Sequence, residues 1–327
     1  MDRADLAGLR RALHVVAIPM RVRFRGVSVR EVALLEGPVG WGEFGPFPEY
    51  APLESSRWLA AAVEAAWTGW PERVRSSIPV NGTVPAVGPE EVPAVLTRFP
   101  GVTTVKVKVA EPGQTLSDDV DRVAAVRGWL GAAGVIRVDA NGGWSVEDAV
   151  RAARALRGFG LDYLEQPCRT VQELAELRLS LARQGIEVRI AADESIRKAE
   201  DPLLVRDLEA ADVIVVKVAP LGGVRAALQV VQDCGLPAVV SSALDTSVGI
   251  AGGVALAAAL PRLPFACGLG TVALLSGDVT RDPLVPVRGE LAVRQVSADP
   301  ELLERFSAPL ARRQWWLARL EASAAYL

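Results

Sequence analysis

The sequence predicts an α/β chain. A closed parallel (β/α) barrel spans residues 78–284, behind an α+β capping domain at 1–77 that the tail, 285–327, completes. Two observations carry this. From residue 78 onward, short β-branched runs recur at intervals of roughly 25–30 residues, with helical patterns between them. Ahead of them, the chain alternates and carries Gly-Pro and Gly-Trp-Gly turn signals instead.

In order, VRFRGVSVREVALLEGPVGWGEF (22–44) reads as antiparallel strands and ESSRWLAAAVEAAWTGW (54–70) as a helix with Trp58 and Trp67 in its pattern. The barrel runs are IPVNGTV (78–84), TTVKVKV (103–109), VIRVDA (135–140), LDYLEQ (161–166), EVRIAAD (187–193), DVIVVKV (212–218), LPAVVSS (236–242) and LPFACGL (263–269). Segments between them, such as EDAVRAARALRGF (147–159), place apolar residues at three- and four-residue spacing, a helical period. Eight regular units favour closure over a doubly wound open sheet, and no G-x-G-x-x-G follows the first run. After about residue 285 the barrel rhythm stops, and the tail is expected to pack back on the first domain.

Composition narrows the function. Half the residues are apolar and the formal net charge is −3, which argues against a disordered acidic chain and a nucleic-acid binder. The longest small-apolar stretch, VGIAGGVALAAAL (248–260), is too short to span a bilayer and ends at Pro261; it suits a helix packed closely on a sheet. The first residues, MDRADLAGLRR, have no apolar leader. Cys168, Cys234 and Cys267 show no metal-ligand spacing, so a cytoplasmic location is expected. A small-molecule ligand is expected, not nucleic acid or membrane; oligomeric state is not legible.

The barrel runs end in chemistry. Asp139 closes the third, Glu165 the fourth and Asp193 the fifth, 26 and 28 residues apart, each about one βα unit. In a parallel barrel those ends share one rim, where active sites are built. Three converging carboxylates repel one another and are costly to desolvate unless a cation joins them. A hard divalent ion fits, Mg²⁺ first and Mn²⁺ as an alternative. The bland alternative is three separate turn carboxylates, which their register on consecutive strands makes the weaker reading. Glu194 is expected on the other face or as a support for its neighbours, and Asp162 as an ordinary loop residue.

The chain has only four lysines, Lys106, Lys108, Lys198 and Lys217, against 32 arginines. Lys106 and Lys108 project from one face of their strand, while Val105, Val107 and Val109 face the other way. An arginine there would stay charged, whereas a lysine desolvated beside a like charge drops to about 7–8 and can exchange a proton. Lys108 is thus a candidate base with Lys106 as its charged neighbour, and Lys217 flanks the mouth from the opposite side. The alternative is a pair of interior lysines neutralising acids. Lys198 reads as an ordinary surface residue.

Lys106-Val-Lys108, Asp139-Ala-Asn141, Glu165-Gln166-Pro167, Asp193-Glu194-Ser195 and Lys217, in that order, resemble the muconate lactonizing enzyme subgroup of the enolase superfamily. The resemblance implies a TIM-like barrel of the modified (β/α)7β form and Mg²⁺ on Asp139, Glu165 and Asp193. It also implies acid–base roles for Lys108 and Lys217 in chemistry that begins with removal of a proton α to a carboxylate. His14 lies far from the barrel, so the His–Asp base of the mandelate racemase branch is not expected. GWGEFGPFPEY (40–50), SSALDTSVG (241–249) and CGLGT (267–271) resemble segments of the branch that dehydrates a succinyl-bearing cyclohexadiene carboxylate in menaquinone biosynthesis. Dipeptide epimerases carry a D-x-D pair that CGLGT lacks. Substrate contacts are expected from Asn141, Ser241, Ser242, Gly268, Leu269 and Phe44, with Glu194 and Gln166 supporting the metal ligands. Racemisation of an N-succinylamino acid, muconate cycloisomerisation and a silent carboxylate-binding barrel remain the alternatives.

Overall fold

The computed structural model describes residues 6–24, 26–197 and 202–327. Lys198, expected at the surface, falls outside them. Strands β1 (Leu13–Phe24), β2 (Val27–Glu36) and β3 (Trp41–Phe44) form an antiparallel sheet in that order. Glycine at 42 is required because a Cβ there would collide with the Ala62 carbonyl of the helix Pro52–Val63, which packs on β3. That helix runs into a π-helical turn, Glu64–Thr68, so the Trp58–Trp67 pattern is one element with a break in its period.

The C-terminal helix Leu310–Ala324 returns to the cap. Its Arg319 donates to the carbonyls of Phe47 (2.6 Å) and Tyr50 (2.9 Å), and Trp316 Nε1 donates to Glu31 at 3.0 Å. The long β1–β2 hairpin overhangs the barrel, where Arg21 Nε donates to the Leu275 carbonyl at 2.8 Å. His14 stays in the cap, with its ring 5.5 Å from that of Trp41.

Strand β4 (Ser77–Pro79) pairs antiparallel with β12 (Glu290–Ala292). The barrel wall is a parallel sheet of seven strands: β5 (Gly82–Val84), β6 (Thr104–Lys108), β7 (Val135–Asp139), β8 (Leu161–Glu165), β9 (Arg189–Ala192), β10 (Val213–Val216) and β11 (Ala238–Val240). Its two edges meet at Cys267 and Gly268, which bridge in parallel to Val80 and Ser241. The eighth run therefore closes the ring through single bridges, and only a 3-10 turn, Thr271–Leu274, follows it. This is the (β/α)7β form.

Four of the helices start at a hydroxyl. Thr115, Ser145, Thr170 and Thr246 each accept a backbone N–H at a helix N-cap, an interaction generally worth about 1 kcal/mol. The helix Ser247–Ala259 is almost wholly buried, as its Ala and Gly content predicts. Inside the barrel, Tyr163, Ala191, Val213, Val215 and Val239 form a separate apolar layer. Arg137 lies over Tyr163 and Phe265 and pairs with Asp162 at 3.0 Å, which makes Asp162 a structural partner and not a loop residue. This layer is the floor beneath the polar mouth.

Candidate active site

Alternation along β6 sends Val105 and Val107 to the surrounding core and Lys106 and Lys108 inward. Register then fixes their neighbours: Lys108 lies beside Asp139 on β7, and Asp139 beside Glu165 on β8. Asp193 follows the last residue of β9 and Lys217 the last of β10. All six side chains are buried.

Each carboxylate is met by a cation. Lys106 Nζ lies 2.7 Å from Glu165 Oε1 and 3.4 Å from Asp139 Oδ2. Lys108 Nζ donates to Asp139 Oδ2 at 2.5 Å and to Asn141 Oδ1 at 2.6 Å. Asp193 accepts from Lys217 through one oxygen and from Arg197 Nε at 3.1 Å through the other. Arg197 also donates to Glu194 at 2.5 Å and to the Tyr50 hydroxyl at 3.1 Å, tying this end of the barrel to the cap.

These pairings outweigh burial at most of the groups. Burial would raise Asp139, but Lys108 and Lys106 hold it well below the usual carboxylate range. Lys217 and Arg197 do the same for Asp193. Lys106 stays above its ordinary value because Glu165 and Asp139 overcome its desolvation. At Lys217 burial wins over Asp193, and the amine is pulled down. Glu165 is pushed up to about 7, first by burial and then by the charge of Asp139. The like-charged neighbour expected to act on Lys108 is thus itself committed to two carboxylates.

Among the described residues, no three His, Cys, Asp or Glu side chains close round a common point as an ion-holding group. The ammonium groups stand between the carboxylates instead. The donor set nevertheless fits a hard cation, because Glu165 Oε2 is buried without a hydrogen-bond partner and Asp139 and Asp193 both repel its charge.

Gln166 is a strut. Its amide oxygen accepts from the backbone N–H of Asp193 (2.9 Å) and Ser195 (3.1 Å), while its nitrogen donates to Ser195 Oγ at 2.8 Å. Glu194 sits in the same network, accepting from Asn141 Nδ2 at 3.3 Å. Asn141 and Gln166 both have positive φ, 48° and 36°. Such conformations cost energy outside glycine and persist where surrounding bonds hold them.

The mouth opens into a pocket whose wall includes Lys108, Asn141, Lys217, Ser241, Ser242 and Gly268. Phe44 and Leu269 do not line it. Phe44 is fully buried in the cap core, edge-on to Trp316 at 5.8 Å. Strand alternation puts its neighbour Glu43 toward the barrel instead. Leu269 points away to Gly253, where a Cβ would overlap it. Phe24, at the hairpin tip, lies 5.3 Å from Lys108 Nζ and does line the mouth, as do Thr83 and Thr271. An aromatic residue ahead of a turn in a hairpin was the only signal for Phe24. Nothing near Arg197 in the sequence marks it beyond its position four residues after Asp193.

Residues 94–298 match the family described as enolase C-terminal domain-like, and residues 15–66 the one described as enolase N-terminal domain-like. An o-succinylbenzoate synthase of Thermobifida fusca is 58% identical over 94% of this chain and 95% of its own. One of Mycolicibacterium smegmatis is 60% identical over 94% of each. Among solved structures, muconate lactonizing enzyme from Pseudomonas putida superposes with a TM-score of 0.75 over 90% of this chain and 98% of its own, at 20% identity, a likeness of fold. With both domains matched and such relatives aligned over nearly the whole length, the chain belongs to the enolase superfamily and, within it, to the o-succinylbenzoate synthase family.

Proposed function

We propose that this chain is a lyase, an o-succinylbenzoate synthase that dehydrates 2-succinyl-6-hydroxy-2,4-cyclohexadiene-1-carboxylate to o-succinylbenzoate and water in menaquinone biosynthesis. The observation that carries the reading is the placement of Lys108 and Lys217 on separate strands of one mouth, with three buried carboxylates on the strands between. The name of the relatives supports o-succinylbenzoate as the product.

Asp139, Glu165 and Asp193 would hold a Mg²⁺ ion, or Mn²⁺ in its place, which when bound supplies a Lewis acid for the substrate carboxylate. With Asp139 held as a ligand, the Lys108 amine would be released from its ion pair to face the substrate. It takes the proton α to the ring carboxylate and returns it to the hydroxyl leaving from the neighbouring carbon, so that water departs and the ring becomes aromatic. Lys217, on the opposite side, faces the charge that develops as the proton leaves, and its effect falls on the barrier. Asn141 fixes the resting position of the Lys108 amine. The three buried free thiols suit a cytoplasmic enzyme.

Racemisation of an N-succinylamino acid is a second reading on the same geometry, since amines on opposed strands can exchange a proton on either face of a carbon. Purified protein with Mg²⁺ and the cyclohexadiene carboxylate decides. The ultraviolet spectrum of o-succinylbenzoate should appear with the wild type and not with Lys108→Arg. No aromatic product from the wild type, with α-deuterium exchange into N-succinylamino acids, would move the assignment to the racemase.

A further inference from the structure

An ion pair on the helix Leu116–Leu130, which follows β6, is buried against the end of that strand. Asp119 and Arg122 are only 2% and 1% exposed, and Arg122 Nη1 lies 2.9 Å from Asp119 Oδ1. Such a pair is weak support for stability by itself, because the cost of desolvating both charges offsets their attraction. Its other bonds show what it holds.

Arg122 Nη1 also donates to the Lys108 carbonyl at 2.9 Å, and Nε to the Val87 carbonyl at 2.6 Å. Its remaining nitrogen, Nη2, donates to Gln114 Oε1. Asp119 Oδ2 accepts the Ala110 N–H at 3.0 Å. Ala110 has φ +58°, a conformation that costs energy outside glycine and persists where surrounding bonds hold it. Val107 is in register with Val84, the last residue of β5, so Lys108 stands one position past the end of that neighbour. The helix pair takes over where the ladder stops. It grips both peptides that flank Val109, one through the Lys108 carbonyl and the other through the Ala110 N–H.

The Lys108 amine rests against Asp139 and Asn141 and must leave the first of these to meet the α-carbon of the substrate. Once it does, its aim depends on the backbone that carries it. A misplacement of about 1 Å at reacting atoms can cost on the order of 100-fold in rate. We propose that Asp119 and Arg122 are positioning residues for proton transfer by Lys108, acting from outside the barrel through its backbone. This rests on the synthase reading above.

Asp119→Asn and Arg122→Lys, each loaded with Mg²⁺, test it. Asparagine keeps an oxygen for the Ala110 N–H but gives up the charge that faces Arg122, whereas lysine offers one nitrogen where three are used. Active sites are counted by calorimetric titration with o-succinylbenzoate. In Arg122→Lys, kcat per titrated site should fall roughly 10–100-fold with KM for the cyclohexadiene carboxylate little changed. Asp119→Asn should show a smaller fall of the same kind, and it decides alone if Arg122→Lys does not fold. Arg127→Ala is the control. Arg127 donates to the carbonyls of Gly131 (2.8 Å) and Phe159 (2.6 Å) at the far end of the same helix. Its loss should lower the urea midpoint and leave kcat per site at the wild-type value. A merely structural role for the pair predicts the same pattern, fewer sites of full activity. That result in the folded variants, or a loss carried by KM, overturns the proposal while wild-type turnover stands. A wild type that does not turn over the cyclohexadiene carboxylate would remove the synthase reading, and this proposal with it.

Discussion

Arg30 reaches from the cap sheet to the barrel rim, where its Nε donates to the carbonyl of Leu244 at 3.0 Å. Leu244 has φ +63° and lines the catalytic mouth, so a cap side chain holds a strained turn of the barrel wall. The same guanidinium donates to the Gly45 carbonyl at 2.5 Å, and Arg30 is only 2% exposed. Removing it leaves buried acceptors unmet. Arg30→Ala should cost about 3 kcal/mol in urea unfolding and raise KM more than it lowers kcat. Arg30→Lys cannot span both carbonyls with one amine and should recover only part of either. Unchanged stability in Arg30→Ala would separate the cap from the turn.

Glu43 gives the protein a pH-dependent stability. Its carboxyl is raised to about 8 by burial and by Asp245, against the partial relief of Arg30. A raised acid binds its proton more tightly folded than unfolded. Its contribution is therefore complete below about 4.5, the unfolded value, and is lost as pH rises through about 8. The slope across that window should approach about 1.4 kcal/mol per pH unit at most. Glu43→Gln, which does not titrate, should flatten it in chemical denaturation measured from pH 5 to 9. An identical slope in both proteins would assign the effect elsewhere.

Arg197 serves Asp193, Glu194 and Tyr50 together, so it orients an expected metal ligand from behind. Lysine has one nitrogen and cannot meet all three. Arg197→Lys should weaken Mg²⁺ binding about 10–100-fold, read as a shift in the Mg²⁺ dependence of turnover. Tyr50→Phe, which removes the acceptor of one Arg197 N–H, should shift it far less. Equal Mg²⁺ dependence in wild type and Arg197→Lys would reduce Arg197 to packing.

The residues legible in the sequence are those whose role is fixed by strand position. Lys106, Lys108, Asp139, Glu165, Asp193 and Lys217 stand at the ends of parallel strands, and the βα period alone brings such ends to one rim. What was illegible depends on how the cap meets the barrel. Phe24, Arg30 and Glu43 act on residues far along the chain, and no local pattern encodes that apposition. Phe44 packs into the cap core while Glu43, one position earlier and so on the opposite face of the strand, meets the barrel. Leu269 fails for the same reason beside Gly268, whose backbone forms the wall.

Gly249 packs the barrel against Glu43 of the cap, and it separates packing from propensity. A Cβ there would stand 2.7 Å from the Asp245 Cβ and 2.9 Å from the Glu43 carboxyl carbon, in a buried helix start with little room to give. Gly249→Ala should destabilise by about 1–3 kcal/mol and push Glu43 off its N–H partners, raising KM. Gly128, in the helix Leu116–Leu130, has nothing within 4 Å of the same added atom. There the alanine has only its helix preference to express, and Gly128→Ala should stabilise by up to about 1 kcal/mol without touching KM. Thermal or urea unfolding of the two variants therefore moves in opposite directions from one chemical change. If both were stabilised, the cap would have room to yield at Gly249, and the fit of Glu43 against this helix would not be as tight as its contacts require.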